Sequence, residues 1–216
     1  MSTPRDGNAS RCVSPWPMCA LRVVFGLIWA VDAVLKWLPG FRASYMSTIM
    51  GIAQGQPGWL RPWFRFWIDL QHPRATAFAY LVAVLETLIA LALILGLARK
   101  LTYASAAVFS LLIWATAEGF GGPYTSGASD IGTAVIYAVV FAGLLALGYY
   151  VGPSPYSLDY YLEQRYSWWW RLAEVRRPQP GRVLVAGPGR GVEPVLIGPA
   201  LAELPMAHQH AQQRQV

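Results

Sequence analysis

Four apolar runs alternate with polar connections along the chain. They span residues 18–38, 76–97, 101–118 and 130–151, each near the roughly 20 residues that cross a bilayer as a helix. The pattern predicts an all-α membrane protein built as a four-transmembrane-helix bundle. In the first run Arg22, Trp29 and Lys36 recur at seven-residue intervals, with Asp32 between them. All four share one helical face. Charged side chains within a span face the bundle or a wet cavity, so this stripe points inward. Asp32 and Lys36 stand at i and i+4, which suits either a self-neutralised pair or a ligand site. Glu86 sits at the centre of the second run, where a carboxylate is costly unless protonated or paired. Arg99 and Lys100 mark a turn so short that the second and third helices are expected to be antiparallel neighbours. In the fourth run Asp130, Tyr137 and Phe141 share a face, and Ser129 is placed to cap it.

The connections have their own patterns. Residues 41–73 are too polar to cross, yet carry Trp59, Trp63, Phe64, Phe66 and Trp67 beside Arg61 and Arg65. This mixture predicts a short helix in the membrane interface, with a lid packed over the bundle mouth as the competing arrangement. A second interfacial helix is expected within the amphipathic, basic segment 152–177, around Trp168, Trp169 and Trp170. Residues 1–17 and 178–216 read as disordered tails. The AGPGRG run at 186–191 lacks the Lys-Ser/Thr ending of a phosphate loop.

The segment from Trp114 to Gly132, WATAEGFGGPYTSGASDIG, joins the last two runs. Its Gly-rich centre is flanked by Glu118 and Asp130. It is either a tight turn with two hydrated carboxylates or the cover of a site. Basic residues favour the N-terminus, the Arg99–Lys100 turn and the segment after Tyr150, which predicts both termini in the cytoplasm and a multi-pass protein of the plasma membrane. Lys36, Asp32, Glu118 and Asp130 then gather at the outer level. Trp29, Trp114 and Tyr124 lie at or just below it, with Glu86 deeper.

Composition agrees. Hydrophobic residues make up 55% of the 216 and charged residues 13%, about half the share usual in soluble domains. The net charge of +6 suits anionic lipid and orientation, and nucleic acid is not expected as a partner. Cys12 and Cys19 are the only cysteines. With no CxxC spacing and no nearby His, they suggest no metal site, and a cytoplasmic N-terminus argues against a disulfide.

Three features carry a resemblance: the first helix LRVVFGLIWAVDAVLKWLPGF, a second helix with Glu86 leaving through GLARK, and the segment EGFGGPYTSGASDIG. Together they resemble the DoxX/DoxD-like family of small four-helix membrane proteins over residues 21–150. The resemblance implies the small membrane subunit of a thiosulfate:quinone oxidoreductase. It carries over no metal, haem or nucleotide motif. On that expectation quinone is the cofactor. Trp29, Trp114 and Phe141 form its slot, Lys36, Tyr124 and Tyr137 donate to its carbonyls, and Glu118, Asp130 and Glu86 carry protons, with Asp32 beside Lys36. A second redox subunit, or a homo-oligomer, is expected alongside membrane lipid. The alternative is a non-enzymatic scaffold or a small-solute carrier.

Overall fold

Each apolar run folds as a helix close to its expected bounds. The computed structural model describes residues 16–122, 131–151 and 154–175, and these contain helices and turns without a strand. The runs become α1 (Trp16–Lys36), α4 (Ala75–Leu95), α5 (Arg99–Thr116) and α6 (Thr133–Val151). Trp16 and Pro17, expected in the N-terminal tail, belong to the first turn of α1. The first connection holds two helices rather than one, α2 (Pro39–Gln54) and α3 (Arg61–Gln71), with 3₁₀ turns at 58–60 and 72–74. After α6 come α7 (Leu158–Arg165) and α8 (Trp170–Ala173). Residues 1–15 and 178–216 of the expected tails lie outside the described residues, as do 176–177 of the basic segment and Ser129, Asp130 and Tyr124.

Among the described residues, three helical stretches are long and apolar enough to cross a membrane: 16–36, 58–95 through its α4 portion, and 133–150. The fourth expected span, α5, is not among them. Arg99, Lys100 and the hydroxyls of Thr102, Ser105, Ser110 and Thr116 dilute its apolar character. The surface is inverted relative to a water-soluble fold. Val24, Val31, Val34, Leu88 and Val139 face outward, while Arg22, Glu86 and Ser110 are buried. An integral membrane protein has this distribution, because lipid tolerates the apolar faces and the bundle shelters the polar ones.

The helices pair as α1 with α4 and α5 with α6. α1 and α4 run antiparallel, with Gly26 in the middle of α1 against Leu93 near the end of α4, and the Trp37 indole, just past α1, donating to Thr87 Oγ1 at 3.0 Å in the middle of α4. A Cβ on Gly26 would lie 2.9 Å from Leu93 Cβ and 3.1 Å from the Ile94 backbone nitrogen. The bare glycine therefore sets how closely the two backbones approach. Gly26→Val is expected to cost about 1–3 kcal/mol through overpacking. Thermal unfolding in detergent measures this, and an unchanged midpoint would mean that the pair separates without cost. Trp29 fills the centre of the bundle, 2% exposed, with its ring 5.4 Å from Phe141 and 5.8 Å from Tyr137.

The α4–α5 turn is tight because Gly96 takes the left-handed conformation, φ 69°, and the Leu97 N–H donates back to Ala92 O at 2.9 Å. The Arg22 guanidinium packs against Gly96 and donates to Tyr156 O at 2.9 Å. Beyond the turn a buried charge cluster clamps the C-terminal segment. Asp159, fully buried, accepts from the backbone N–H groups of Ala98 (2.6 Å) and Arg99 (2.9 Å), from Arg99 Nε (3.2 Å) and from the Trp169 indole (2.8 Å). Arg99 also pairs with Glu174. Segment 154–175 is thus bound to the helix turn by one arginine and two carboxylates.

Candidate functional site

A cavity of about 590 Å³ opens inside the opposite end of the bundle. Its charged wall comes from α1 (Asp32, Lys36), α4 (Glu86) and the end of α5 (Glu118). Tyr137 of α6 completes that wall and faces Asp32, Glu118 and Glu86. Its apolar wall is built by α4 (Phe78, Leu81, Val82, Leu85) and α5 (Phe109, Leu112, Ile113). From above, α2 contributes Phe41, Tyr45 and Ile49, and α3 contributes Trp67 and Gln71. The helices of the first connection therefore roof the cavity.

Local chemistry fixes this roof. The Tyr45 hydroxyl donates to Gln71 Oε1 at 2.6 Å and ties α2 to α3. Burial pushes the Tyr45 phenol up to about 12, so it stays protonated as a donor. The Trp63 indole donates to Ala115 O at 2.8 Å, and Gln56 Nε2 to Gly119 O at 3.2 Å. Both bonds fasten the roof to the exit of α5. Phe120 adds to them from a left-handed backbone, φ 61°, which is costly for a side chain of this size. Its ring packs among Trp63, Phe64 and Trp114, which hold it there.

The charged groups are partnered differently from the sequence expectation. Lys36 Nζ lies 3.7 Å from Glu86 Oε2 and 5.2 Å from the centre of the Phe41 ring. The cation of α1 thus meets the carboxylate expected to lie deeper. Antiparallel packing explains this, because the last turn of α1 lies beside the middle of α4. Glu118 has a second task. Its carboxylate oxygens accept from the Ala134 N–H at 3.0 and 3.2 Å. It caps the start of α6 from a distant position in the chain, where a carboxylate also complements the helix dipole. Gly132, at φ 96°, leaves room for it, since a Cβ there would approach Glu118 Oε2 to 2.5 Å. Glu118→Ala is expected to cost about 1 kcal/mol as a lost cap, and Glu118→Gln less because an acceptor remains. Thermal melts of the two variants check the order, and equal melts would refute a capping role.

Six sequence-predicted residues line the cavity: Trp29, Asp32, Lys36, Glu86, Glu118 and Tyr137. Two others are placed elsewhere. Trp114 turns its indole to Ile131 O at 2.8 Å and meets Phe120 edge to face, so it braces the roof. Phe141 is buried behind Trp29 in the core. Asp130 and Tyr124 lie outside the described residues. Sequence reading missed Tyr45, Gln71, Trp67 and Phe109. Tyr45 and Gln71 gave no local signal, whereas the rings around Trp67 had suggested a lid as one of two arrangements.

Comparison with protein-family models, curated proteins and solved structures finds no match for the chain.

Proposed function

We propose that this chain is the membrane subunit of a quinone-linked oxidoreductase, as its resemblance to DoxX/DoxD-like proteins implies, and that the roofed cavity receives the quinone. The observation that carries the reading is the cavity itself. Its volume of about 590 Å³ falls within the roughly 300–1,000 Å³ of small-molecule sites. It combines an apolar wall with a few polar groups on the opposite side. Lys36 and Tyr137 are placed to donate to a carbonyl oxygen, and Glu86, Asp32 and Glu118 to hold or pass protons. Reducing a quinone to a quinol takes two electrons and two protons. The carboxylates serve the protons, and a partner subunit of the dehydrogenase class delivers the electrons. Among the described residues no group of His, Cys, Asp and Glu is arranged to hold a metal. In the same reading α5 is the fourth span, α3 lies in the interface with Trp59, Phe66, Arg61 and Arg65 exposed, and both termini are cytoplasmic.

The test is tryptophan quenching by a short-chain benzoquinone added to protein in mild detergent. Mass spectrometry of the lipophilic molecules that co-purify runs beside it. Saturable quenching is expected for the wild type. Leu85→Trp and Ile113→Trp, each filling the cavity from a different helix, should weaken it by about tenfold or more. Their melting temperatures verify folding. Linear, unsaturable quenching with no co-purifying quinone would reject the reading and favour a scaffold or solute carrier.

A further inference from the structure

The cavity has two chemically distinct sides. Its charges come from α1, from the face of α4 turned toward α1, and from the end of α5. The side between α4 and α5 is predominantly hydrocarbon and aromatic above Glu86, Leu81, Val82 and Leu85 standing against Phe109, Leu112 and Ile113, and the one hydroxyl of α5 that lines the cavity, Thr116, donates to Leu112 O at 2.6 Å. Two of these are rim positions. Leu81 is 49% exposed and Leu112 39% exposed, although both line the cavity. A side chain that borders a cavity and is also open to the outside marks a mouth. The helix pairing accounts for it. Joined at the Gly96–Ala98 turn, α4 leans on α1 and α5 on α6 rather than on each other. The neighbouring outward positions, Val84, Leu88, Val108 and Leu111, are exposed and apolar. They belong to the surface that faces acyl chains.

We infer that the gap between α4 and α5 is a lateral portal, through which a lipid-borne ligand enters from the bilayer and in which its hydrocarbon tail remains while its polar head reaches Lys36 and Glu86. The inference rests on the quinone reading for the head and adds the class of the whole ligand: a long-tailed, membrane-dissolved molecule rather than a water-soluble one. The roof accounts for the direction of entry. Tyr45–Gln71, Trp63–Ala115 and Gln56–Gly119 close α2 and α3 over the cavity, whereas the facing groups of α4 and α5 at the mouth, Leu81, Val82, Leu85, Phe109, Leu112 and Ile113, are hydrocarbon side chains with nothing to donate or accept. An apolar tail in this gap replaces lipid at small desolvation cost. The same gap would offer a hydrated solute only an apolar passage.

Photolabelling in phosphatidylcholine vesicles tests it. One quinone carries a diazirine at the end of a long isoprenoid tail, and a second, tailless quinone carries it on the ring. The tail probe is expected to label peptides from 75–95 and 99–116, at or near Leu81 and Leu112. The ring probe should label near Lys36, Glu86 or Tyr137. Leu81→Trp/Leu112→Trp, which narrows the mouth, should lower tail-probe labelling by about tenfold and leave ring-probe labelling within about twofold. Leu112→Ala widens the mouth and should preserve labelling by both, which guards against a folding defect. Tail labelling confined to α2, α3 or α6, or unchanged in the narrowed variant, overturns the portal and leaves the quinone reading in place. Ring labelling that misses every cavity residue overturns both. Cross-linking of Leu112→Cys between two copies, with the tail probe excluded, assigns the gap to a second copy of the chain and also overturns the portal.

Discussion

Asp159→Ala is expected to lower unfolding stability by about 3–5 kcal/mol, the usual cost of removing one partner from a buried ion pair. Asp159 is 0% exposed and accepts four hydrogen bonds, two of them from the backbone of the α4–α5 turn. Its loss leaves those N–H groups and part of Arg99 without an acceptor in a site closed to water. Asp159→Asn should be nearly as damaging, because one of its two side-chain atoms becomes a donor facing other donors. Glu174 gives a pH signature to the same clamp. Burial raises its carboxyl to about 7, against the opposing pull of Arg99. Its native value therefore exceeds its unfolded value of 4.5, and the native state binds the extra proton between them. Stability from this group is present below about 4.5 and is lost as pH rises through about 7. Thermal melts from pH 4.5 to 7.5 should show this slope, and Glu174→Gln should flatten it. Limited proteolysis at Arg165 and Arg171 reports whether segment 154–175 has come away. A loss below about 1 kcal/mol for Asp159→Ala, with the segment still protected, would show that packing rather than charge holds it.

Lys36→Met should cost about 2–3 kcal/mol, and Glu86→Gln in the same chain should restore part of it. The Glu86 side chain is 3% exposed and its cation 26% exposed. Removing Lys36 therefore strands a buried carboxylate, with Asp32 adding like charge across the cavity. The cost stays below that of a fully buried pair because Lys36 keeps some hydration. The double variant exchanges a charged pair for a neutral one that fills similar space. A double-mutant cycle of melting temperatures measures the coupling, and strict additivity of the two changes would contradict a direct pair. Glu118→Gln in the Lys36→Met background should give little rescue, since its carboxylate is engaged at the start of α6.

The contrast between these two carboxylates shows how far sequence reached. The inward stripe of α1 was legible, because Arg22, Trp29, Asp32 and Lys36 repeat at helical spacing and lipid excludes charge from the other faces. The helices themselves were legible from apolar length, to within about two or three residues at their ends. Which carboxylate meets Lys36 was not. Counting depth along each helix separately placed Glu86 below the rim. The register of α1 on α4 depends on Gly26 fitting against Leu93, a tertiary contact with no local signature. Glu118 stood out as a charge beside the Gly-rich loop, but its cap on Ala134 needs the positions of both helix ends. The clamp on Arg99 was invisible for a similar reason: its partners lie 60 and 75 residues away.

The roof of the cavity is made before the structure that supports it. Synthesis delivers α2 and α3 ahead of α4 and α5, yet Trp63 and Gln56 bond to Ala115 and Gly119, and Phe64 is buried near Phe120. Until α5 is in place, the underside of the roof has nothing native to cover it. Until then Phe64 and Ile49, buried in the finished fold, must be kept from water by something other than their native partners, while Arg61 and Arg65 stay exposed. The amphipathic character of this connection is thus a requirement of assembly order as well as of the finished fold. Variants that weaken it should be degraded during biogenesis even where the completed protein would tolerate them.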